Sequence, residues 1–523
     1  MADRLSLELL ELIASSVADQ ATMTALLNAL PLSLLSPALV GVRRLLALHP
    51  ASDVWPTLGA TASMRDAPAL AALHECISLY PVVRVYDLSL ALPLCLTTRV
   101  ELVQIGTPQA LDAALDLWHG AISSLHVSVW DLRLGGRWSS LDTARLASAL
   151  PHVPHLRELH LSWGGSTDGL DAVLDTIVAT KITSLEITMG RDVMYWNPSR
   201  VDRLLAWLQT RPVRELHLTR VSLAPTLYGE VVRALNGCNS LHSLRLCDHV
   251  LGHSVLTSRA AWPAALQSLH AVVHLTGDAG RLAYASTLQR LSLIAHQYTS
   301  LGGAAVLEAA AELRYLRHFK LDCQVRDVMP LPPTAHLDLT ALLPRLVDLS
   351  LIHTQLGDEG LLALASALPR CTRLQRLVLV QQGCTDVGAA ALAAHLPLTL
   401  ETLDLSSNVI GCDGASALAS AIRAHLKVLR LGFNQMGLGG AIAFSEVMRQ
   451  TEHMTWLGLQ VNPIGADGVL AIVAALAQCD TRAGPVFLQG TLPAMHHPTD
   501  KCEKDACVLA VANLPEPTWC CLT

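Results

Sequence analysis

The sequence predicts an α/β fold in which a repeat solenoid, with a parallel inner sheet and outer helices, follows a small all-α N-terminal domain. Three observations carry this. The chain has 523 residues, more than one compact core usually accommodates. Hydrophobic residues make up 51% of it but aromatics only 4%, so leucine and alanine, the residues of regular stacked layers, carry the apolar share. A six-residue core pattern also recurs along most of its length.

That pattern is L-x-x-L-x-L. Its cores begin at Leu156, Ile182, Val213, Leu241, Leu266, Leu288, Leu316, Leu346, Leu374, Leu400, Leu426 and Met454, at spacings of 22 to 31 residues. Ile122 starts a fainter core, Thr97 to Leu102 holds another, and Val486 with Leu488 supplies a last strand. This period belongs to leucine-rich repeats. Within each core the final residues alternate as a strand, so Leu403 and Leu405 point inward and Asp404 and Ser406 outward. Asn408, Asn434 and Asn462 follow their strands at one offset, where an amide side chain satisfies backbone groups on a turning chain. Thr354, Gln382 and His249 replace asparagine at that offset, which predicts less regular turns there. Glycine-marked turns then open apolar-periodic helices, and a strand and a helix repeated in this way give the horseshoe. The stretch LSSNVIGCDGASALASAI resembles the ribonuclease-inhibitor type of leucine-rich repeat, strongly over residues 346–480 and more weakly back to about 120.

Charge and cysteine usage narrow the function. A net charge of -7 without a dense Lys/Arg run argues against a nucleic-acid surface. Thirteen cysteines, scattered singly apart from Cys520 and Cys521, fit a reduced compartment, and the N-terminus lacks the basic start of a secretory signal. Cytosol or nucleus is the expected location. The uncharged run Gln20 to Val42 is divided by Pro31 and Pro37 into pieces too short to span a bilayer, so two short buried helices are expected.

The concave face is the expected binding surface. Its side chains, read in order, include Glu158, His160 and Trp163, Arg245 and Asp248, Lys320 and Asp322, Ser350 and His353, Asp404 and Ser407, Arg430 and Phe433, and Gln460. With about 4.8 Å between strands, some thirteen strands make an inner arc of roughly 60 Å, which is the size of a protein partner. His160, Trp163, Arg245, Lys320, Asp404, Arg430, Phe433 and Gln460 are the candidate partner-binding residues. Trp163 and Phe433 stand out as aromatic anchors among polar groups, the alternative being that each packs on its neighbouring rung.

Catalytic chemistry is not indicated. His152, His155 and His160 cluster without a carboxylate or cysteine at zinc-type spacing, so neither metal nor cofactor is expected. His496 and His497 with Cys502 and Cys507 read as a polar tail. No nucleophile elbow, phosphate loop or H-E-x-x-H occurs. The ending Cys520, Cys521, Leu522 and Thr523 matches a C-a-a-X prenylation box only in outline, with a poor terminal residue and no polybasic run before it.

The N-terminal stretch LSLELLELIASSV, residues 5–17, places Leu5, Leu9, Leu12 and Ile13 on one helical stripe and Leu7, Leu10, Ala14 and Val17 on another. One stripe is enough to dock a helix on its own domain. Leu5, Glu8, Leu9, Leu10, Ile13 and Val17 stand where F-box domains carry L-P-x-E-L-L-x-x-I-x-x-x-L, with Ser6 in place of the proline, and Trp55 in DVWPTL stands where F-boxes often end. Residues 1–58 therefore resemble an F-box. The resemblance implies that Leu5, Glu8, Leu9, Ile13 and Trp55 grip a Skp-type adaptor of a cullin ubiquitin ligase while the repeats choose a protein substrate. The alternative is a repeat scaffold, resembling intracellular immune-receptor or GTPase-activating leucine-rich proteins, whose N-terminal helices only cap the solenoid. The expected organisation is 1–58 F-box-like, 59–95 linker and cap, 96–490 solenoid and 491–523 tail.

Overall fold

The computed structural model describes residues 7–90, 92, 94, 98–129, 138–164, 167–190, 193–258, 261–277, 279–324, 330–422, 426–448, 454–478, 486–489 and 520–521. They fall into two compact units, Met1–Leu241 and His242–Thr523.

The N-terminal unit opens with four helices, α1 (Leu7–Ser15), α2 (Gln20–Ala29), α3 (Pro37–Leu48) and α4 (Ala51–Val54). Strands and helices then alternate: β1 (Leu58–Ala60), α5 (Ala67–Cys76), β2 (Val82–Val85), β3 (Arg99–Ile105), α6 (Pro108–Trp118), β4 (Ile122–Ser128), α7 (Ser140–Ala149), β5 (Glu158–Trp163), α8 (Thr167–Ile177) and β6 (Ser184–Met189). The unit ends with β7 (Met194–Trp196), α9 (Pro198–Thr210), β8 (Glu215–Thr219), β9 (Val221–Leu223) and α10 (Tyr228–Gly237). β1, β2, β3, β4, β5, β6 and β8 pair in that order, all parallel. β7 and β9 form a separate parallel pair.

Local chemistry starts these helices. Ser36 before Pro37, Thr107 before Pro108 and Asn197 before Pro198 each accept a backbone N–H of the first turn through the side chain. The proline adds a preset φ where its missing N–H costs nothing. No helix among the described residues is long and apolar enough to cross a membrane, and α2 and α3 are the two short helices expected of the uncharged run.

The sheet begins earlier than position 96. β1, α5 and β2 occupy the segment expected to be linker and cap. α3 packs along α5, so closely that a Cβ on Gly41 would lie 2.7 Å from the Ala72 carbonyl oxygen. Glycine is required at that crossing. Trp55, expected at an adaptor contact, is a core residue instead: it is 3% exposed, its indole N–H donates to the Val17 carbonyl at 2.6 Å, and its ring meets Tyr80 edge-on at 5.6 Å. Tyr80 in turn donates to the Val54 carbonyl at 2.7 Å. A large indole with one buried donor is most stable where both needs are met, and this interior does so.

The C-terminal unit continues the alternation. Its elements are β10 (Ser243–Leu246), α11 (His249–Thr257), β11 (Ser268–Leu275), β12 (Arg290–Tyr298), α12 (Ser300–Glu312), β13 (His318–Asp322), α13 (Pro333–Leu342), β14 (Asp348–Ile352), α14 (Gly357–Ala367), β15 (Arg376–Val380) and α15 (Asp386–His395). They end with β16 (Thr402–Asp404), α16 (Cys412–Ala421), β17 (Val428–Arg430), α17 (Leu438–Met448), β18 (Trp456–Gly458), α18 (Gly465–Leu476), β19 (Val486–Phe487) and β20 (Cys520–Cys521). β10 through β20 pair parallel in chain order. The first two residues of the C-a-a-X-like ending thus form a strand beside β19, whereas His496, His497, Cys502 and Cys507 lie outside the described residues.

Register in this unit follows the leucines. Leu349, Leu377, Leu403, Leu429 and Leu457 face one another strand to strand and are all buried. Each contributes about 1.5–3 kcal/mol of burial that an isolated rung could not realise.

The turns after the strands are tied by side chains. The Asn434 amide accepts the Ile410 N–H at 3.1 Å and donates to the carbonyls of Leu405 and Leu431, both at 3.0 Å, linking two rungs. Asn408 and Asn462 do the same one rung away on either side. The expectation of irregular turns at Thr354 and Gln382 is corrected. Gln382 donates to the Leu351 and Val380 carbonyls at 3.0 and 2.8 Å, and its Oε1 accepts the Thr354 hydroxyl at 2.6 Å. An amide on one more methylene serves as well as asparagine, because the groups to be satisfied are the same. The residue before each ladder position, His353, Gln381, Ser407, Phe433 or Val461, takes a positive φ between 54° and 59°.

Candidate functional site

Period two sets the strand leucines on one side and the residues between them on the other, where most are part-exposed but Ser350, Val378 and Asp404 are buried. In register, the residue between the two strand leucines forms one row across each sheet. In the N-terminal unit the row runs His126, His160, Glu186 and His217 across β4, β5, β6 and β8. In the C-terminal unit it runs Arg245, His270, Ser292, Lys320, Ser350, Val378, Asp404, Arg430 and Gly458. Five of the predicted partner-binding residues, His160, Arg245, Lys320, Asp404 and Arg430, lie in these rows.

The N-terminal row is electrostatically coupled. His160 Nδ1–H donates to the Glu186 carboxylate at 2.9 Å and His217 Nδ1 lies 3.5 Å from the same oxygen. His126 stacks on His160 with ring centroids 3.9 Å apart. The two histidine partners, His160 first, hold the Glu186 carboxyl well below the usual carboxylate range. Burial, followed by the neighbouring His160, pushes His126 down to about 4, so at neutral pH it is an uncharged donor and acceptor. Gln104, Ser128 and Thr188 join these groups around a recess of about 320 Å³. The arrangement can hydrogen-bond polar or cationic groups of a partner.

The C-terminal row presents a different mixture. Lys320 and His353 lie 3.6 and 3.4 Å from the buried Asp322 carboxylate. Arg430 sits 3.6 Å from Asp404 and lies over the Trp456 ring at 5.5 Å, and Trp456 stacks on Phe487 at 4.2 Å. Arg245 is exposed.

Two aromatic expectations part here. Phe433 is 54% exposed at the positive-φ turn position, so it stands out from the surface as an anchor would. Trp163 is corrected: it is fully buried, because it falls in phase with Leu159 and Leu161 rather than with His160. It packs on its own interior, the alternative the sequence left open. Gln460 is half-buried, and its side-chain oxygen is buried without a hydrogen-bond partner.

At the other end of the chain α1 presents two stripes. Leu10 and Ala14 are buried, while Leu12 is 67% and Ile13 39% exposed. Leu5 lies outside the described residues, as do the side chains of Glu8 and Leu9.

His126, Glu186 and His217 were not singled out in the sequence, although a signal was present. Each occupies the same place in its L-x-x-L-x-L core as His160, so aligning the cores brings them together.

Comparison with known proteins finds the repeat motif itself in the C-terminal unit. A leucine-rich-repeat family model matches residues 397–419 and 424–445. No curated protein sequence matches. Among solved structures, an internalin, InlF from Listeria monocytogenes str. 4b F2365, is 17% identical over 64% of this chain and 82% of its own, with a TM-score of 0.34. The Rad7 and Elc1 complex in yeast is 18% identical over 74% of this chain and 82% of that one, with a TM-score of 0.36. Actin-binding site 2 of leiomodin-1 is 19% identical over 29% of this chain and 90% of its own, with a TM-score of 0.25.

Proposed function

We propose that this leucine-rich-repeat chain is a non-enzymatic protein-interaction scaffold that acts as the substrate-recognition subunit of a Skp-cullin-F-box type of ubiquitin ligase in the cytosol or nucleus. The open-face rows support the recognition half of this reading. They align ionic and hydrogen-bonding side chains from successive rungs over a protein-sized strip, with Phe433 exposed beside them. Repeats of the ribonuclease-inhibitor type and an F-box-like start belong to the same reading.

The observation that carries the adaptor half is the exposed Leu12 and Ile13 stripe on α1, a helix whose opposite stripe, Leu10 and Ala14, is already buried. A helix that needs one apolar stripe for its own domain and carries a second has a face suited to another subunit. Leu5, Glu8 and Leu9 complete that face in the proposal, while Trp55 supports it from within the core.

One observation favours the second reading, that the N-terminal helices only cap the repeats: α3 lies along α5 and so shields the first helix of the repeat layer. For the same reason, truncation at residue 58 destabilises the N-terminal unit under either reading. A point substitution on the exposed stripe separates the two. Under the adaptor reading, a Skp-type adaptor is retained by the full chain in a pull-down, and Leu12→Asp weakens retention at least tenfold with an unchanged circular dichroism spectrum, because the contact would bury an unpaired carboxylate. No retention by the wild-type chain, or equal retention by the variant, overturns the adaptor reading and leaves the cap.

A further inference from the structure

Among the described residues one group of three side chains has the composition and spacing of a metal-ligand set: His249, His274 and His296, each offering one ring nitrogen, with the three nitrogens within 4.8 Å of one another. We propose that these three imidazoles bind a zinc(II) ion that ties α11, β11 and β12 together, a site that goes beyond the interaction function above.

Three elements converge to build the group. His274 lies on the open side of β11, following the alternation of that strand. His296 is placed by the β11–β12 register: the pairing of Val273 with Ala295 sets it beside His274, and a β-bulge there moves the next pairing to His274 with Gln297. At the bulge both His296 and Gln297 are exposed, and His296 keeps the open side next to His274. His249 is the first residue of α11, following Asp248, whose carboxylate accepts the Val250 and Leu251 N–H groups at 2.9 and 2.7 Å. The three rings stack almost parallel, with centroids 4.4 Å apart for His249 and His296, 4.7 Å for His249 and His274, and 5.7 Å for His274 and His296.

The chemistry suits a borderline-soft cation. Neutral imidazole is the form that ligates zinc. The His274 Nε2 is buried with no hydrogen-bond partner. His253 Nδ1 donates to the His274 carbonyl at 3.0 Å and fixes the chain beneath the ring. Zn–N bonds of about 2.0–2.1 Å in a tetrahedron place ligand nitrogens about 3.4 Å apart, so side-chain rotations that move each nitrogen by less than about 1.5 Å close the set. The fourth position is left to water.

The place in the fold gives the ion a purpose. His249 stands at the offset where later rungs carry Asn408, Asn434 and Asn462, so an imidazole occupies the place of the bridging amide. Coordination would supply the cross-rung tie that hydrogen bonds supply farther along.

The test uses tag-free full-length protein. Zinc titrated into the protein should bind at one equivalent and raise its melting temperature, and cobalt(II) in its place should give the intense visible absorption of a tetrahedral site. His249→Ala and His296→Ala should each weaken uptake at least tenfold and remove the thermal shift, while metal-free spectra stay unchanged, His296 being exposed. No saturable uptake by the wild-type chain overturns the proposal. So does uptake with an undiminished thermal shift in both variants, which would assign the ion to other residues of the chain.

Discussion

Two histidine clusters on the open sides of the two sheets make opposite use of one residue type. In the N-terminal unit His126, His160 and His217 share a row with Glu186, and the carboxylate takes hydrogen bonds from two of them. In the C-terminal unit His249, His274 and His296 stack on one another with no carboxylate in the group. The first cluster is electrostatically satisfied by its own rung neighbours and is a surface for recognition. The second gathers one ring nitrogen from each of three stacked imidazoles within 4.8 Å of one another, a set an ion could draw together. The difference arises from which residues the register aligns: one-to-one pairing sets Glu186 between His160 and His217, whereas the pairing of Val273 with Ala295 sets His296 beside His274.

The largest effect expected on this contrast concerns the turn position that His249 shares with the asparagines. Asn434→Ala leaves the buried Ile410 N–H without its partner and takes one of two amide donors from each of the Leu405 and Leu431 carbonyls, and should cost about 2 kcal/mol in urea unfolding. His249→Ala in metal-free protein removes no such hydrogen bond and should cost less than about 1 kcal/mol. Equal losses would erase the distinction between a tied rung and an untied one.

Acid should distinguish the clusters next. His126 has a folded value of about 4, below its ordinary 6.5, so between these values the unfolded chain binds more protons than the folded one. Its contribution is present above pH 6.5 and is lost as pH falls toward 4. Glu186, held low, acts with the same sign but only below the ordinary carboxylate value of 4.5. Thermal melts between pH 7 and 4 should therefore decline, and His126→Gln should flatten the part of that decline above pH 4.5. An unchanged slope would mean that the His126 environment is not what the stacking on His160 implies.

The smallest effect sharpens the comparison of turns. Val461 is β-branched at a φ of 55°, a conformation that costs a residue of this kind about 1–2 kcal/mol. Val461→Gly relieves that strain but adds freedom to the unfolded chain, so the net gain should be below about 1 kcal/mol in the same unfolding assay.

Much of the fold was legible because the repeats are local. Strand positions followed from the leucines, and the ends at Thr97–Leu102 and Val486 correspond to β3 and β19. β1 and β2 were missed because their cores carry Trp55, Leu58 and Ala60, and Tyr80, Val83 and Val85, where other rungs repeat leucine. Trp163 was placed on the wrong side because its size suggested an anchor, while its parity with Leu161 already put it inside. For Trp55 the sequence carries no such parity signal: its partners, Val17 and Tyr80, come from distant segments.

The sequence alone determined which residues lie between the leucines of each rung, since period two and a spacing of 22 to 31 residues are properties of a single chain. It also determined that α1 has two apolar stripes. Tertiary structure decided which of those stripes is buried, which side of a sheet a large aromatic occupies, and which histidines meet. These depend on register between segments far apart in the chain, and the pairing of Val273 with Ala295 is enough to make neighbours of His274 and His296.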